Sequence, residues 1–318
     1  MTLIRRSLAA TLGAGLMALG LGGAALAQDA ACKQVRFSDV GWTDITATTA
    51  LASVVLDGLG YEPEVKVLSV PVTYASLKNK DIDVFLGNWM PTMEGDIAPY
   101  REDGSVQTLE PANLEGAKYT LAVPAYTYEK GLHSFADIAK FKDELDGKIY
   151  GIEPGNDGNR LILDMIENGT FGLSGFELVE SSEQGMLAQV RRSVDRNEPI
   201  VFLGWEPHPM NANFDLKYLD GGDDVFGPNY GGATVFTNVR KGYVEECPNV
   251  GQLLKNLHFT LAMENEIMGA ILNDNEEAKD AAAAWLKAHP DTLDAWLDGV
   301  KTLDGKEGLE AVKASLTK

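Results

Sequence analysis

A short pattern occurs twice in this chain: Val84-Phe85-Leu86-Gly87-Asn88-Trp89-Met90-Pro91 is echoed by Val201-Phe202-Leu203-Gly204-Trp205-Glu206-Pro207. Each copy is an apolar run suited to a buried strand, closed by Gly, Trp and Pro, where the strand gives way to a loop. The interval from the strand pattern at Val35 to the first copy nearly equals that from Ile149 to the second. Two units of like construction follow from this echo, and 318 residues are enough for two medium cores.

Within each unit short apolar runs alternate with helical patterns. The first runs from Val35–Phe37 through a helix at Ile45–Leu59, a strand near Val65–Leu68 and a helix at Val72–Leu77 to the first echo. The second begins with a strand at Lys148–Ile152, a turn at Gly155–Gly158 and a helix at Asn159–Glu167 capped by Asp157 or Asn156. The expected fold class is α/β, with a largely parallel sheet in each of two lobes. Lobe I takes residues 28–117 and 231–318, with the C-terminal helical part completing it, and lobe II takes 118–230. The chain is expected to cross between them on strands near Tyr119–Val123 and Gly232–Val239, leaving a hinged cleft.

Residues 1–27 read as a cleaved secretory signal peptide: Arg5 and Arg6 precede an apolar Gly- and Ala-rich stretch that ends in Ala25-Leu26-Ala27. The expected location is the periplasm, where Cys32 and Cys247, the only cysteines, would pair in one disulfide. A formal charge of -20 disfavours nucleic acid and anionic membrane surfaces as partners. A cationic or neutral small ligand suits such a chain better.

In open α/β sheets ligands bind beyond the carboxyl ends of strands. Trp42, Trp89 and Trp205 stand at such ends, whereas Trp285 and Trp296 lie in helical patterns and read as core. Three indoles facing one cleft suit sugars, which stack on them, or quaternary ammonium ions. A cation over an aromatic face gains about 0.5–2 kcal/mol per ring. Asp44 would add a formal negative charge, or else cap the helix from Ile45; Asn156 could bond a ligand hydroxyl, or else only shape its turn. Signals for catalysis are weak: there is no Walker loop, no dinucleotide-binding glycine pattern, no HExxH and no complete G-x-S-x-G. Glu206 and His208 flank Pro207 without a third metal ligand nearby, so neither a metal nor a cofactor is expected.

At Gly41-Trp42-Thr43-Asp44-Ile45-Thr46, Phe85 to Thr92, Gly151 to Arg160 and Gly204 to Pro209 the chain resembles the periplasmic choline-binding proteins of ABC importers, within the wider glycine betaine and choline substrate-binding family. The resemblance implies a two-lobed type II periplasmic binding protein without enzymatic activity. It also implies an aromatic box of Trp42, Trp89, Tyr119 and Trp205 around a trimethylammonium group. Asp44 would supply charge, and Asn156 with the backbone at Asp157 would hold the hydroxyl end. Tyr119 enters through the resemblance alone. The expected ligand is choline, with acetylcholine as a further candidate, because Asp44 would repel the carboxylate of glycine betaine. The expected partner is a membrane permease, and the expected state a monomer. The alternatives are a binding protein for glycine betaine or another methylated amine, or an exported carbohydrate-active enzyme such as a glycosidase that uses the tryptophans as sugar platforms.

Overall fold

The computed structural model describes residues 32–317; the expected signal peptide lies outside the described residues. Ten strands form one sheet: β1 (Gln34–Asp39), β2 (Glu62–Val67), β3 (Val84–Met90), β4 (Val106–Thr108), β5 (Leu114–Pro124), β6 (Lys148–Tyr150), β7 (Glu177–Val179), β8 (Phe202–Glu206), β9 (Leu216–Tyr218) and β10 (Gly232–Arg240). Their order is β2-β1-β3-β10-β5-β8-β6-β7, with β4 also on β10 and β9 also on β5. Read outward from the centre, β10, β3, β1 and β2 correspond to β5, β8, β6 and β7. The two echo segments, β3 and β8, therefore hold equivalent places.

The expected parallel character holds only in the outer parts of the sheet. There β1 pairs parallel with β2 and β3, and β6 with β7 and β8. The pairs β10–β3, β10–β5 and β5–β8 are antiparallel. Parallel neighbours require a helical crossover, which each half supplies after its first strand; β5 and β10 instead carry the chain between the halves and run against their neighbours.

The helix Thr43–Leu59 packs on the first half, and Leu261–Asn273, Ala278–Ala288 and Gly308–Ser315 pack on it in turn. It ends at Gly60, whose φ of 89° closes the last turn. Its N-cap is Trp42 rather than Asp44, which falls in the first turn. Helix Asp157–Asn168 starts two residues earlier than expected, because the Asn156 side chain accepts the Asn159 N–H and caps it. Trp296 is core as expected, while Trp285 is half-buried and stacks on His289.

Two features anchor the first half away from the tryptophans. Asp83, just before β3, is gripped by Arg36 of β1 at 2.7 Å and by Arg240 of β10 at 2.7 Å, which ties three strands in register. Cys32 and Cys247 form the expected disulfide, with Cα atoms 5.6 Å apart.

Candidate functional site

The strand ends that carry the two echoed segments, each with Gly, Trp and Pro, determine what lies between the halves. Gly87 is required because a Cβ there would press into Ile45 at 2.7 Å; its absence lets the start of helix Thr43–Leu59 lie directly on β3. Asp44 is thereby brought against Trp89, whose indole N–H donates to Asp44 Oδ2 at 3.1 Å. Across the sheet centre, Tyr119 of β5 is the direct register partner of Trp205 of β8. Its ring meets Trp89 and Trp205 edge-on, with centroids 6.1 and 6.2 Å away. Such T-shaped packing is a favourable arrangement for aromatic pairs and holds the rings at large angles to one another.

These residues enclose a small cavity lined by Trp42, Asp44, Trp89, Tyr119, Ile152, Asn156, Asp157 and Trp205. All seven residues singled out in the sequence are among them; Ile152 is the addition.

The polar side of the cavity is built at the turn before helix Asp157–Asn168. Asn159 folds back on that turn, accepting the Ile152 N–H and donating to the carbonyls of Ile152 and Glu153. Asn156 Oδ1 serves two donors, the Asn159 N–H that it caps and the Tyr119 hydroxyl at 2.8 Å, while its Nδ2 donates to Asp157 Oδ1 at 2.9 Å. Asn156 therefore positions Tyr119 and Asp157 and has one amide hydrogen left to offer. Gly158 is part of the same fit, since a side chain there would collide with the Tyr119 hydroxyl.

Electrostatically the site is acidic. Asp44 Oδ1 and Asp157 Oδ2 are buried without a hydrogen-bond partner. Burial, reinforced by the charge of Glu183, raises the Asp44 carboxyl to about 8. Burial likewise lifts Asp157 to about 6, and lifts Glu153, which accepts the Trp42 indole N–H, to about 7. No Lys or Arg stands among the lining residues. Buried carboxylates short of partners, facing aromatic walls, form a receptacle for a small cation.

The sequence gives no sign that Glu153, Glu183 and His208 belong to the site. Glu153 stands just ahead of the Gly155–Gly158 turn, and neither it nor Glu183 carries a motif. Nor does His208 bear out the option of a metal shared with Glu206: its Nδ1 accepts the Met210 N–H at 2.9 Å and its Nε2 lies 3.2 Å from Glu183.

Fold and cavity together define a two-lobed binding protein of the type II class, with its ligand space between the lobes. Residues 33–288 match the family described as the substrate binding domain of ABC-type glycine betaine transport systems, and the chain belongs to that family. A solved structure described as an ABC-transporter choline binding protein in complex with choline is 72% identical, with a TM-score of 0.89, covering 90% of this chain and 99% of that one. The unliganded semi-closed form of such a protein, also 72% identical, aligns with a TM-score of 0.83 over 91% of this chain and all of that one. The glycine betaine/carnitine transport binding protein GbuC of Listeria monocytogenes is 32% identical over 165 residues, 52% of this chain and 54% of that protein. The match thus spans about half of GbuC.

Proposed function

We propose that this protein captures choline between its lobes and delivers it to the permease of an ABC importer, without altering it chemically. The observation that carries the reading is the pairing of four aromatic walls with two unpartnered buried carboxylate oxygens and no cationic lining residue. The trimethylammonium group would sit among Trp42, Trp89, Tyr119 and Trp205 beside Asp44. At the far end the hydroxyl would donate to Asp157 Oδ2, with the remaining Asn156 amide hydrogen able to donate to its oxygen. Glycine betaine would bring a carboxylate to that same end, where Asp157 repels it and no arginine or lysine compensates. The 72% identity to a protein described as a choline binding protein supports the same ligand.

The reading divides the chain into lobe I, residues 28–117 and 231–318, and lobe II, 118–230. The mirrored strand order supports this division, because the lobes then meet at the β5–β10 pair. A monomer in the periplasm, exported on residues 1–27 and closed by the disulfide, completes the proposal. Calorimetric titration of the ligand-stripped mature protein tests it. One saturable choline site with much weaker glycine betaine supports the box. Preference for betaine would contradict the role given to Asp157, and saturable binding of a neutral sugar without choline binding would turn the tryptophans into a carbohydrate platform.

A further inference from the structure

We infer that Glu183 is a cross-cleft positioning residue that completes the start of the box-bearing helix when the lobes close, and so sets how long a ligand is held. The inference rests on the two-lobe reading, under which Glu183 belongs to lobe II and helix Thr43–Leu59 to lobe I. That helix begins without a side-chain cap of its own, since Trp42 occupies the N-cap position and makes no such bond. The free N–H of Thr43 donates instead to Glu183 Oε2 at 2.8 Å, and the Thr43 hydroxyl donates to Glu183 Oε1. A helix N-terminus has unsatisfied N–H groups and a partial positive charge, so a buried carboxylate answers both needs. Glu183 is wholly buried, as is Thr43, and it does not line the cavity.

The carboxylate is held from its own side. His208 Nδ1 accepts the Met210 N–H, so in the neutral ring the proton sits on Nε2 and is donated to Glu183. The His208 ring in turn lies edge-on to Trp205, centroid to centroid 4.8 Å. A continuous set of contacts therefore runs from Trp205 through His208 and Glu183 to Thr43, whose chain neighbours are the box residues Trp42 and Asp44. Opening the lobes would break the Glu183–Thr43 bonds and leave the helix start uncapped while Trp205 and His208 stay together. Closing restores the cap and fixes Trp42 and Asp44 in position. Four further side-chain bonds span the same boundary, Trp42 to Glu153, Arg160 to Asp96 at 2.9 Å and to the Thr92 carbonyl at 3.0 Å, and Asn213 to Asn273 at 2.9 Å, but each involves a residue that is partly or fully exposed.

The test compares wild type with Glu183→Gln and with Thr43→Val, which keeps the backbone donor and side-chain shape. Choline dissociation is followed by stopped-flow tryptophan fluorescence, and hydrogen exchange is measured across residues 41–50. Hydrogen bonds to charged groups have strengths that correspond to about 10- to 100-fold in a rate or equilibrium. Glu183→Gln is expected to speed dissociation by about that factor, with association unchanged within twofold, and Thr43→Val by a smaller factor. Exchange at the helix start should quicken in Glu183→Gln, with or without ligand, while exchange in the central sheet stays the same. Equal dissociation and equal exchange in both variants would overturn the inference. So would a uniform loss of protection, which marks general destabilisation. Should wild type bind no choline, the ligand reading fails, and the ligand-free exchange comparison still decides the role of Glu183.

Discussion

Choline binding should release a proton from Asp44, and the structure gives the expected size of the effect. With the lobes closed and no ligand between them, burial and Glu183 hold this carboxyl at about 8, so it is mostly protonated at neutral pH. A permanent cation about 4 Å away contributes roughly 4 kcal/mol at an effective dielectric near 20. At about 1.4 kcal/mol per pKa unit, that attraction moves Asp44 down to about 5, so about 0.9 proton leaves at pH 7. The sign follows: the bound state holds fewer protons, so affinity falls with acidity below about pH 8. The linkage gives roughly a fiftyfold loss from pH 8 to pH 6. Removing the proton at pH 7 costs about 1.4 kcal/mol, leaving Asp44 a net contribution of about 2.6 kcal/mol. Asp44→Asn should therefore weaken choline about eightyfold at pH 7 and flatten most of the pH dependence. Titration calorimetry in two buffers of very different protonation enthalpy reads the proton count directly. Identical heats in the two buffers would mean that Asp44 keeps one protonation state through binding and would refute the reasoning, as would unchanged affinity in Asp44→Asn.

Other perturbations separate box from scaffold. Trp205→Ala should weaken choline by more than about 1 kcal/mol, because one aromatic face is lost; an unchanged calorimetric Kd would remove Trp205 from the ligand's surroundings. Asp83→Asn should cost about 1.5–3 kcal/mol in urea unfolding, since it takes the charge from the hydrogen bonds that Arg36 and Arg240 make to it, while Arg240 keeps Glu246 at 2.6 Å. Burial alone would raise the Asp83 carboxyl, but the hydrogen bonds from Arg36 and Arg240 overcome this and hold it below its ordinary value. Its stabilisation is accordingly present above the ordinary carboxylate range and is lost as pH falls through the lowered value, which acid titration of Asp83→Asn against wild type will show. Reducing Cys32–Cys247, which closes a long stretch of chain, should lower the unfolding free energy by up to roughly 5 kcal/mol, with choline affinity little changed.

What the sequence reveals of this site depends on how local each signal is. Trp42, Trp89 and Trp205 are legible because strand ends in an α/β chain face the cleft, and their strands are apolar runs that end abruptly. Tyr119 is not legible in that way. It sits inside β5, and its place in the box depends on pairing with Trp205, a partner far along the chain. The antiparallel centre of the sheet is hidden for the same reason: nothing near Gly232 announces that it will pair with Lys118. Asn156 was noticed for its chemistry, yet its amide is mostly committed to the helix cap, Tyr119 and Asp157, which a turn sequence cannot show. Glu153 and Glu183 are not legible because a chain with 47 acidic residues gives no reason to single out two of them.

The mirrored sheet order explains why the acids lie where they do. Helix Thr43–Leu59 follows β1 and helix Asp157–Asn168 follows β6, strands that hold equivalent places, so both helices start at the cavity. A helix N-terminus left alone favours an anion. Here each first turn contributes an aspartate to the cavity lining, Asp44 in one half and Asp157 in the other. The two carboxylates reverse the sign that the helix starts would otherwise present. Trp89 and Trp205 are supplied by the equivalent strands β3 and β8, so much of the box is built twice from the same plan. The asymmetry comes from residues without a counterpart in the other half. Trp42 closes one side, while Tyr119, held by Asn156, closes the other and lies against Asp157. A ligand with a methylated cation at one end and a small hydroxyl at the other matches that division: its charge is satisfied by an acid and aromatic faces, and its one donor by the carboxylate oxygen that the fold leaves unpaired.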